Sequence, residues 1–415
     1  MIFLYVIHIA VVGLISWWYY QSDHHAKIRR YYWYGISFNL TGGLILGAVY
    51  KIYFDGGDTW AYFQASETLA ELIPTRPLEY LKILVGGQVP QSLINEVGFS
   101  NQPRALLMVK LLSVFTFLTG GSYWLSSVYL SLFSFFGLWT LVDQVANTYS
   151  KSYKAALAAF IFYPGVVFWA SGISKEAIFM GGFGFLTAWF WPPFNNKPRP
   201  YQWAAVALLL LLLVQLKYYY MAVFISVVLA SIISDSILRD TKNQQRHLIT
   251  WVIVFGVLLF SASWLHPNLR VDHLAAVVKI NAQDLLSRTR APIDYVDHPI
   301  PLVWMALNFP WAIVTGLLRP NIGDFGSFLQ NLTIVENLVV SILLIGRLKS
   351  FSPVQIRSAD LIPCLVYILI LSGLTALSTP NFGTLVRYKV AYMPVFLWLI
   401  LYGNSWWNKL THKLP

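Results

Sequence analysis

AAVALLLLLLVQL (residues 204–216) and MAVFISVVLASII (residues 221–233) decide which solvent this chain folds in. Neither run contains Asp, Glu, Lys or Arg, and only Lys217-Tyr218-Tyr219-Tyr220 stands between them. Continuous apolar runs of this kind read as helices in a bilayer, because lipid offers no water to satisfy backbone N–H and C=O groups. A membrane barrel would alternate apolar and polar residues instead. The same texture fills the 415 residues: 57% are hydrophobic and 11% charged, whereas a soluble domain carries about 25% charged residues. The chain therefore reads as an all-α, polytopic transmembrane bundle forming one domain over 1–415. At about 20 apolar residues per crossing, roughly 11–13 segments are candidate spans.

The formal charge of +11 would suggest nucleic acid in a soluble protein. Here the Lys and Arg sit mainly in short loops between apolar runs, as the positive-inside rule requires, so the expected partner is the bilayer and not nucleic acid. The 17 Trp and 24 Tyr suit the two interfaces. A single cysteine, Cys364, excludes an internal disulfide and a thiolate metal cluster. No basic residue precedes the first apolar stretch and no small-residue cleavage site precedes Trp17-Trp18-Tyr19-Tyr20, which predicts a retained first helix.

Placing His24-His25-Ala26-Lys27-Ile28-Arg29-Arg30 in the cytoplasm orients the rest. Helices over 2–20 and 34–53 bring Phe54 to the outer face. The polar stretch 54–104 holds Pro74, Pro77, Gly86, Gly87, Pro90 and Pro103 and cannot be one helix; short amphipathic helices are expected at 60–72 and 77–84. If Lys151 and Lys154 are cytoplasmic, either 105–119 or 122–143 does not cross, or the orientation fails at this point. Helices 155–170 and 177–192 then flank an outer turn and reach an inner loop with Lys197 and Arg199. Segments 203–216 and 221–234 form a hairpin about 217–220, and Arg239, Lys242 and Arg246 mark the next inner loop. Helix 249–265 leads to a second outer loop, about 266–300, with Pro267, Pro292 and Pro299. Segment 301–318 is expected to be broken at Pro310 or re-entrant, because helix 331–346 must end inside at Arg347 and Lys349. Helices 359–378 and 389–403 end at a basic tail with Lys409 and Lys413. The long outer loops, 54–104 and 266–300, place the active surface away from the cytoplasm.

Charged residues beside a membrane are expensive and mark function. Asp55-Gly56-Gly57-Asp58-Thr59-Trp60-Ala61-Tyr62 sets two carboxylates in a glycine turn directly after a span. A partly desolvated carboxylate there suits a general base, while Asp58 also fits as the N-cap of a helix starting at Thr59. Lys175 and Glu176 follow Ser171-Gly172-Ile173-Ser174 at the same predicted face. Glu176 can bind a divalent cation, hold a hydroxyl or pair with an Arg, and Lys175 can equally be a snorkelling anchor. Lys217 with Tyr218, Arg319 near Asp324, and Arg387-Tyr388-Lys389 add basic groups at the outer face. Guanidinium forks match phosphate, although each basic group alone is commonly an interface anchor. Glu336 is a structural partner for one of them. The histidines, including His266, His273 and His298, lack ligand spacing, and the metal requirement stays open. Asn39-Leu40-Thr41 and Asn331-Leu332-Thr333 lie in or beside apolar runs and read as incidental sequons.

The acidic motif in the first large outer loop resembles that of the membrane-embedded glycosyltransferases of the C superfamily (GT-C). The stretch Arg387-Tyr388-Lys389-Val390-Ala391-Tyr392-Met393-Pro394 is similar to a late Arg-Tyr and Pro segment of many such proteins. The resemblance implies a polyprenyl-phosphate or polyprenyl-diphosphate sugar donor and a glycan, lipid or protein acceptor. It maps the catalytic base onto Asp58, with Asp55 as the alternative, and a second acidic residue onto Glu176. Arg387, with Arg319 or Lys217, would stabilise the leaving phosphate, and Trp60 and Tyr62 would stack on the sugar. The acidic loop here follows the second helix, not the first, which implies an extra leading helix. The compact chain and its basic inner loops favour a bacterial plasma membrane over the endoplasmic reticulum, and with the resemblance this gives cell-envelope polysaccharide as the setting. An O-antigen or exopolysaccharide polymerase, leaning more on Arg387, and a transporter or flippase of lipid-linked sugars are the rival readings. The second is disfavoured by the absence of an evident repeat and by charges gathered at one face.

Overall fold

The computed structural model describes residues 2–22, 25–191, 198–238, 243–265, 270–287, 293–349 and 358–412. His24, Lys197, Arg239, Lys242, His266, Pro267, Pro292 and Lys413, used above to mark loops, lie outside the described residues. Among the described residues all regular elements are helices, with no β-strand. Among the described residues seven helices are long and apolar enough to cross a bilayer, and a helix pair bent by 65°, Phe382–Ala391 and Met393–Leu401, raises this to as many as eight. The expected 11–13 shrinks because several apolar segments fold as short pieces. Segments 105–119 and 177–192 become helices of 16 residues each, about 24 Å long against a hydrocarbon core of about 30 Å. Segment 155–170 is divided by a π-helical turn, Leu157–Ile161.

Two compact units divide the chain. The first comprises Met1–Asp143, Val166–Leu186 and Pro198–Tyr218. Its elements are α1 (Ile2–Tyr20), α2 (Tyr32–Tyr53), α3 (Gly57–Ala70), α4 (Pro77–Leu84), α5 (Pro103–Leu118), α6 (Tyr123–Thr148), α7 (Pro164–Trp169), α8 (Lys175–Phe190) and the first part of α9 (Trp203–Ile237). Without a hydrophobic drive between helices in lipid, small residues decide which backbones approach. A Cβ on Gly43 of α2 would strike Ser131 of α6 and Gly172, and one on Gly47 would strike Tyr123. Those contacts run in opposite senses, so α2 and α6 are antiparallel. A Cβ on Gly137 of α6 would overlap the Gly181 carbonyl of α8, and one on Gly184 would overlap Gly137. Tyr5, His8 and Tyr19 of α1 bond Ser122, Tyr129 and Thr140 in order, which sets α1 parallel to α6. Helices occupy both stretches for which amphipathic ones were expected, α3 over Gly57–Ala70 and α4 over Pro77–Leu84. The buried face of α3, Tyr62, Phe63, Ser66, Leu69 and Ala70, packs on α5, with Ser66 bonding Thr116 at 2.7 Å. Helix α5, at 16 residues, is not among the candidate spans, and within 105–143 α6 is the candidate span among the described residues.

The second unit comprises Gln144–Gly165, Thr187–Lys197 and Tyr219–Pro415. Its later helices are α10 (Gln244–Leu265), α11 (Val271–Leu286), α12 (Pro301–Leu318), α13 (Phe328–Lys349), α14 (Ser358–Ser378), α15 (Phe382–Tyr388), α16 (Met393–Leu401) and α17 (Ser405–Thr411). The core gathers Val278, Ala282, Trp304, Ala312, Leu377 and Leu385. Segment 301–318 is a continuous helix, not the broken or re-entrant one expected, with Pro310 inside it. Membrane helices tolerate proline where neighbours satisfy the freed groups. Here α14 lies close alongside, since a Cβ on Gly316 would strike the Ser372 carbonyl and one on Gly373 would meet the Phe309 ring. Asn308 fastens the preceding loop: its Oδ1 accepts from Val296 N–H at 2.9 Å and its Nδ2 donates to Val296 O at 2.8 Å.

Candidate functional site

In the first unit the chain leaves α2 through three left-handed residues, Asp55 (φ 49°), Gly56 (φ 94°) and Gly57 (φ 48°). Gly56 N–H donates to Tyr50 O at 2.8 Å, which closes α2. Glycine carries such angles without cost; a Cβ on Gly57 would also sit 2.9 Å from the Tyr50 ring. Helix α3 starts at once, with Gly56 as its N-cap and Asp58 in its first turn. The N-cap role expected for Asp58 is therefore taken by Gly56. Asp58 and Asp55 are both exposed, so the partial desolvation expected for this base is not found. The exposed carboxylate of Asp58 stands at the positive end of the α3 dipole.

Beyond Asp58, Thr59 accepts a bond from Tyr123 OH at 3.0 Å. Trp60 donates from Nε1 to Gly47 O at 3.0 Å and stacks on Tyr123 at 3.9 Å, with Lys51 Nζ 4.8 Å from its ring centroid. Tyr62 is buried, beside Phe99 at 5.2 Å, and takes Lys175 Nζ over its ring at 4.9 Å. The rings offered above as sugar platforms thus already carry ring or cation partners.

Lys175 and Glu176 open α8 after the turn at Gly172 (φ 68°), whose N–H donates to Ser131 Oγ at 2.8 Å. Ser174 Oγ accepts from Ala177 N–H at 2.9 Å and caps the helix. Glu176 is 1% exposed, and its Oε1 lies 2.9 Å from Lys217 Nζ, itself in a side chain 6% exposed. Lys217 is where α9 loses its helical geometry (φ −143°, ψ 60°). The expected hairpin turn at 217–220 is thus a one-residue break, with Tyr218–Tyr220 already helical. Some break is needed, since 35 residues would make a straight rod of about 52 Å. One residue on, the Tyr218 ring receives the Arg104 guanidinium at 4.6 Å.

The structure therefore links Trp60, Tyr62, Lys175, Glu176, Lys217 and Tyr218 in one unit with Asp55 and Asp58. Sequence reading missed Lys51 and Arg104, which complete the cationic contacts there. Both are exposed basic residues that hydropathy alone cannot tell from interface anchors. The partner of Arg104, Tyr218, lies far along the chain, while that of Lys51, Trp60, is close in sequence and brought over it by the turn at 55–57.

Arg319, Arg387 and Tyr388 belong to the second unit. Arg319 donates from Nε to Asp324 Oδ2 at 3.0 Å, and its NH2 bonds the other carboxylate oxygen. Its guanidinium lies 4.9 Å from the Phe382 ring and 5.7 Å from Trp311. Burial alone would raise the Asp324 carboxyl, but the Arg319 bond, the Asn321 N–H and the Arg319 charge together hold it below its ordinary value. Arg387 is half-buried, and Tyr388 accepts at its carbonyl from Tyr220 OH at 3.3 Å. Lys389 is buried and donates to Arg319 O at 2.5 Å and Leu317 O at 3.4 Å, a cation at the C-terminus of α12. Glu336 accepts from Gly165 N–H and Tyr163 OH and feels the Lys389 charge. Of the roles foreseen for the basic groups, Lys217 and Arg319 are each engaged by a carboxylate.

Among the described residues no three His, Cys, Asp or Glu side chains converge on a possible metal site. Comparison with protein-family profiles, with curated proteins and with solved structures returns no match.

Proposed function

We propose that this chain is a membrane glycosyltransferase of the GT-C kind. It moves a sugar from a polyprenyl-phosphate or polyprenyl-diphosphate donor to an acceptor hydroxyl at the non-cytoplasmic face, in the assembly of an envelope polysaccharide. The observation that carries the reading is the Glu176–Lys217 pair, 2.9 Å apart and buried, in the same unit as the exposed carboxylate that opens α3. A buried ion pair in a membrane protein is costly to keep unless it serves something.

In this reading Asp58 accepts the proton of the acceptor hydroxyl as that oxygen attacks the anomeric carbon. The bond from the anomeric carbon to the phosphate oxygen breaks, the polyprenyl phosphate or diphosphate leaves with the electron pair, and the configuration inverts. Lys175 and Arg104, held on Tyr62 and Tyr218, supply positive charge for the departing group. Lys217 and Glu176, buried together, fix the start of α8, from which Lys175 reaches over Tyr62.

The test is transfer in proteoliposomes supplied with labelled polyprenyl-phosphate sugars, read as release of polyprenyl phosphate. Wild type should turn over and Asp58→Asn should lose about 10²–10⁴-fold, the usual worth of a general base. Full activity in Asp58→Asn, with a verified donor, would remove Asp58 from the mechanism. Loss confined to Arg387→Ala would point to the polymerase class.

A further inference from the structure

Between the candidate spans α12 and α13 the chain runs Arg319-Pro320-Asn321-Ile322-Gly323-Asp324-Phe325-Gly326-Ser327-Phe328. Its Pro, Gly, Asn, Asp and Ser are turn residues, and loops of this make-up ordinarily run over a watery surface. Yet its large apolar side chains point away from the protein: Ile322 is 59% exposed, Phe325 70% and Phe328 68%. We infer that this loop lies in the membrane interface and buries Ile322, Phe325 and Phe328 in the lipid leaflet at that end of α12 and α13. The inference stands apart from the glycosyltransferase reading, since it needs only the two spans.

Three observations select lipid as the partner. The first is continuity. Phe328 is the first residue of α13, and Leu332, Val335, Val339 and Ile342 follow it at helical spacing, all exposed. Leu307, Trp311 and Val314 form a matching exposed stripe on α12. On a spanning helix such a stripe faces lipid, which is as apolar as the side chains themselves. The loop joins the ends of these two stripes, and its own apolar side chains extend them.

The second is charge. Arg319 and Asp324 are the only ionisable side chains in the stretch, and each holds the other, with Arg319 Nε donating to Asp324 Oδ2 at 3.0 Å. An unpaired charge would be expensive at this depth; here the pair offers the leaflet none.

The third is how the loop satisfies its backbone. Where lipid replaces water, main-chain polar groups must be paired within the protein. Asn321 N–H donates to Asp324 Oδ2 at 2.9 Å, Gly323 N–H to Asn321 Oδ1 at 2.9 Å, Asp324 N–H to Asn321 O at 2.8 Å and Gly326 N–H to Asn331 Oδ1 at 3.0 Å. Among the carbonyls, Pro320 O accepts from Asn337 Nδ2 at 2.9 Å and Asp324 O from Gln330 Nε2 at 2.7 Å. Polar side chains thus turn in on the loop while apolar ones turn out, the reverse of a turn built for water.

The experiment uses the full chain, whose single cysteine is buried. Ile322→Cys, Phe325→Cys and Phe328→Cys each carry a nitroxide in nanodiscs of phosphatidylcholine and phosphatidylglycerol. Power-saturation electron paramagnetic resonance compares collisions with oxygen, which concentrates in lipid, and with a water-soluble nickel chelate. Val339→Cys, on the exposed stripe of α13, is the lipid reference, and Ser22→Cys is the aqueous one. The three loop sites should shift from the aqueous toward the lipid reference, at about 5–10 Å depth, as for interfacial apolar faces. Free collision with the nickel chelate would put the loop in water and overturn the inference. Poor collision with both reagents would mean a protein covers the loop and would overturn it equally, with dipolar broadening between labels identifying a second copy. The three sites are exposed and read independently, so a variant that fails to fold leaves the other two to decide.

Discussion

Removing the Lys217 ammonium while keeping Glu176 would leave a carboxylate buried without its cation, and breaking a buried pair in this way costs about 3–5 kcal/mol. Lys217→Met should therefore lower stability in detergent by about that amount, while Glu176→Gln/Lys217→Met should recover most of it. Denaturant or thermal unfolding of the single and double variants reads the difference. If transfer activity returns together with stability in the double variant, the pair is structural only; if stability returns without activity, it belongs to the chemistry. Sequence made Lys217 legible because it is the sole charge between two apolar runs. Its partner was not legible, since a carboxylate in another helix reaches it only through the fold. The exposure of Asp58 was hidden too: two glycines and a left-handed Asp55 turn the helix start outward, and hydropathy carries no such angle.

The loop after α12 is fastened by Arg319 and Asp324, and that fastening depends on pH. The folded-state value of Asp324 is depressed, so its contribution is present above the unfolded value near 3.8 and is lost as pH falls through the folded value. Melting of the detergent-solubilised protein should thus be insensitive to this pair near neutrality, and the Asp324→Asn variant should show a weaker decline than wild type as pH drops below that value. The contact of α6 with α8 has no such dependence. Gly137→Ala forces a methyl into the Gly181 carbonyl and should cost about 1–3 kcal/mol as an overpacked core does. Gly13→Ala, with open space around it, should be neutral or stabilising by up to about 1 kcal/mol through helix propensity. At this scale the apolar runs told which segments are helical but not where helices end: α5 reads like a span yet has 16 residues and buries Lys110, Ser113 and Thr116. Pro310 read as a break because the close support from α14 lies outside any local window.

Across the whole chain, one buried cysteine gives a quiet background for side-specific labelling. Because α5 is too short to be a candidate span, Asn101→Cys and Gly121→Cys, at exposed positions just beyond its two ends, should label from the same side of the membrane. Ser22→Cys, near the end where His25 N–H meets Asp143 Oδ1 at 2.7 Å, should label from the other. Labelling of Asn101→Cys and Gly121→Cys from opposite sides would restore a second crossing within 105–143. The all-helical membrane class was plain from composition, and the number of crossings was not, because composition does not reveal which apolar pieces stop short. Gly43, Gly137, Gly181 and Gly184 bear on how the chain would answer a saturation mutagenesis screen. Every other amino acid brings a Cβ, and at these positions the Cβ has nowhere to go. A fitness map would mark them as the least tolerant sites in the first unit, more so than the exposed Asp58, although none of them touches a reacting group. Intolerance in this protein will therefore trace the seams between helices first, and the chemistry will have to be sought among positions that accept substitution in folding but not in turnover.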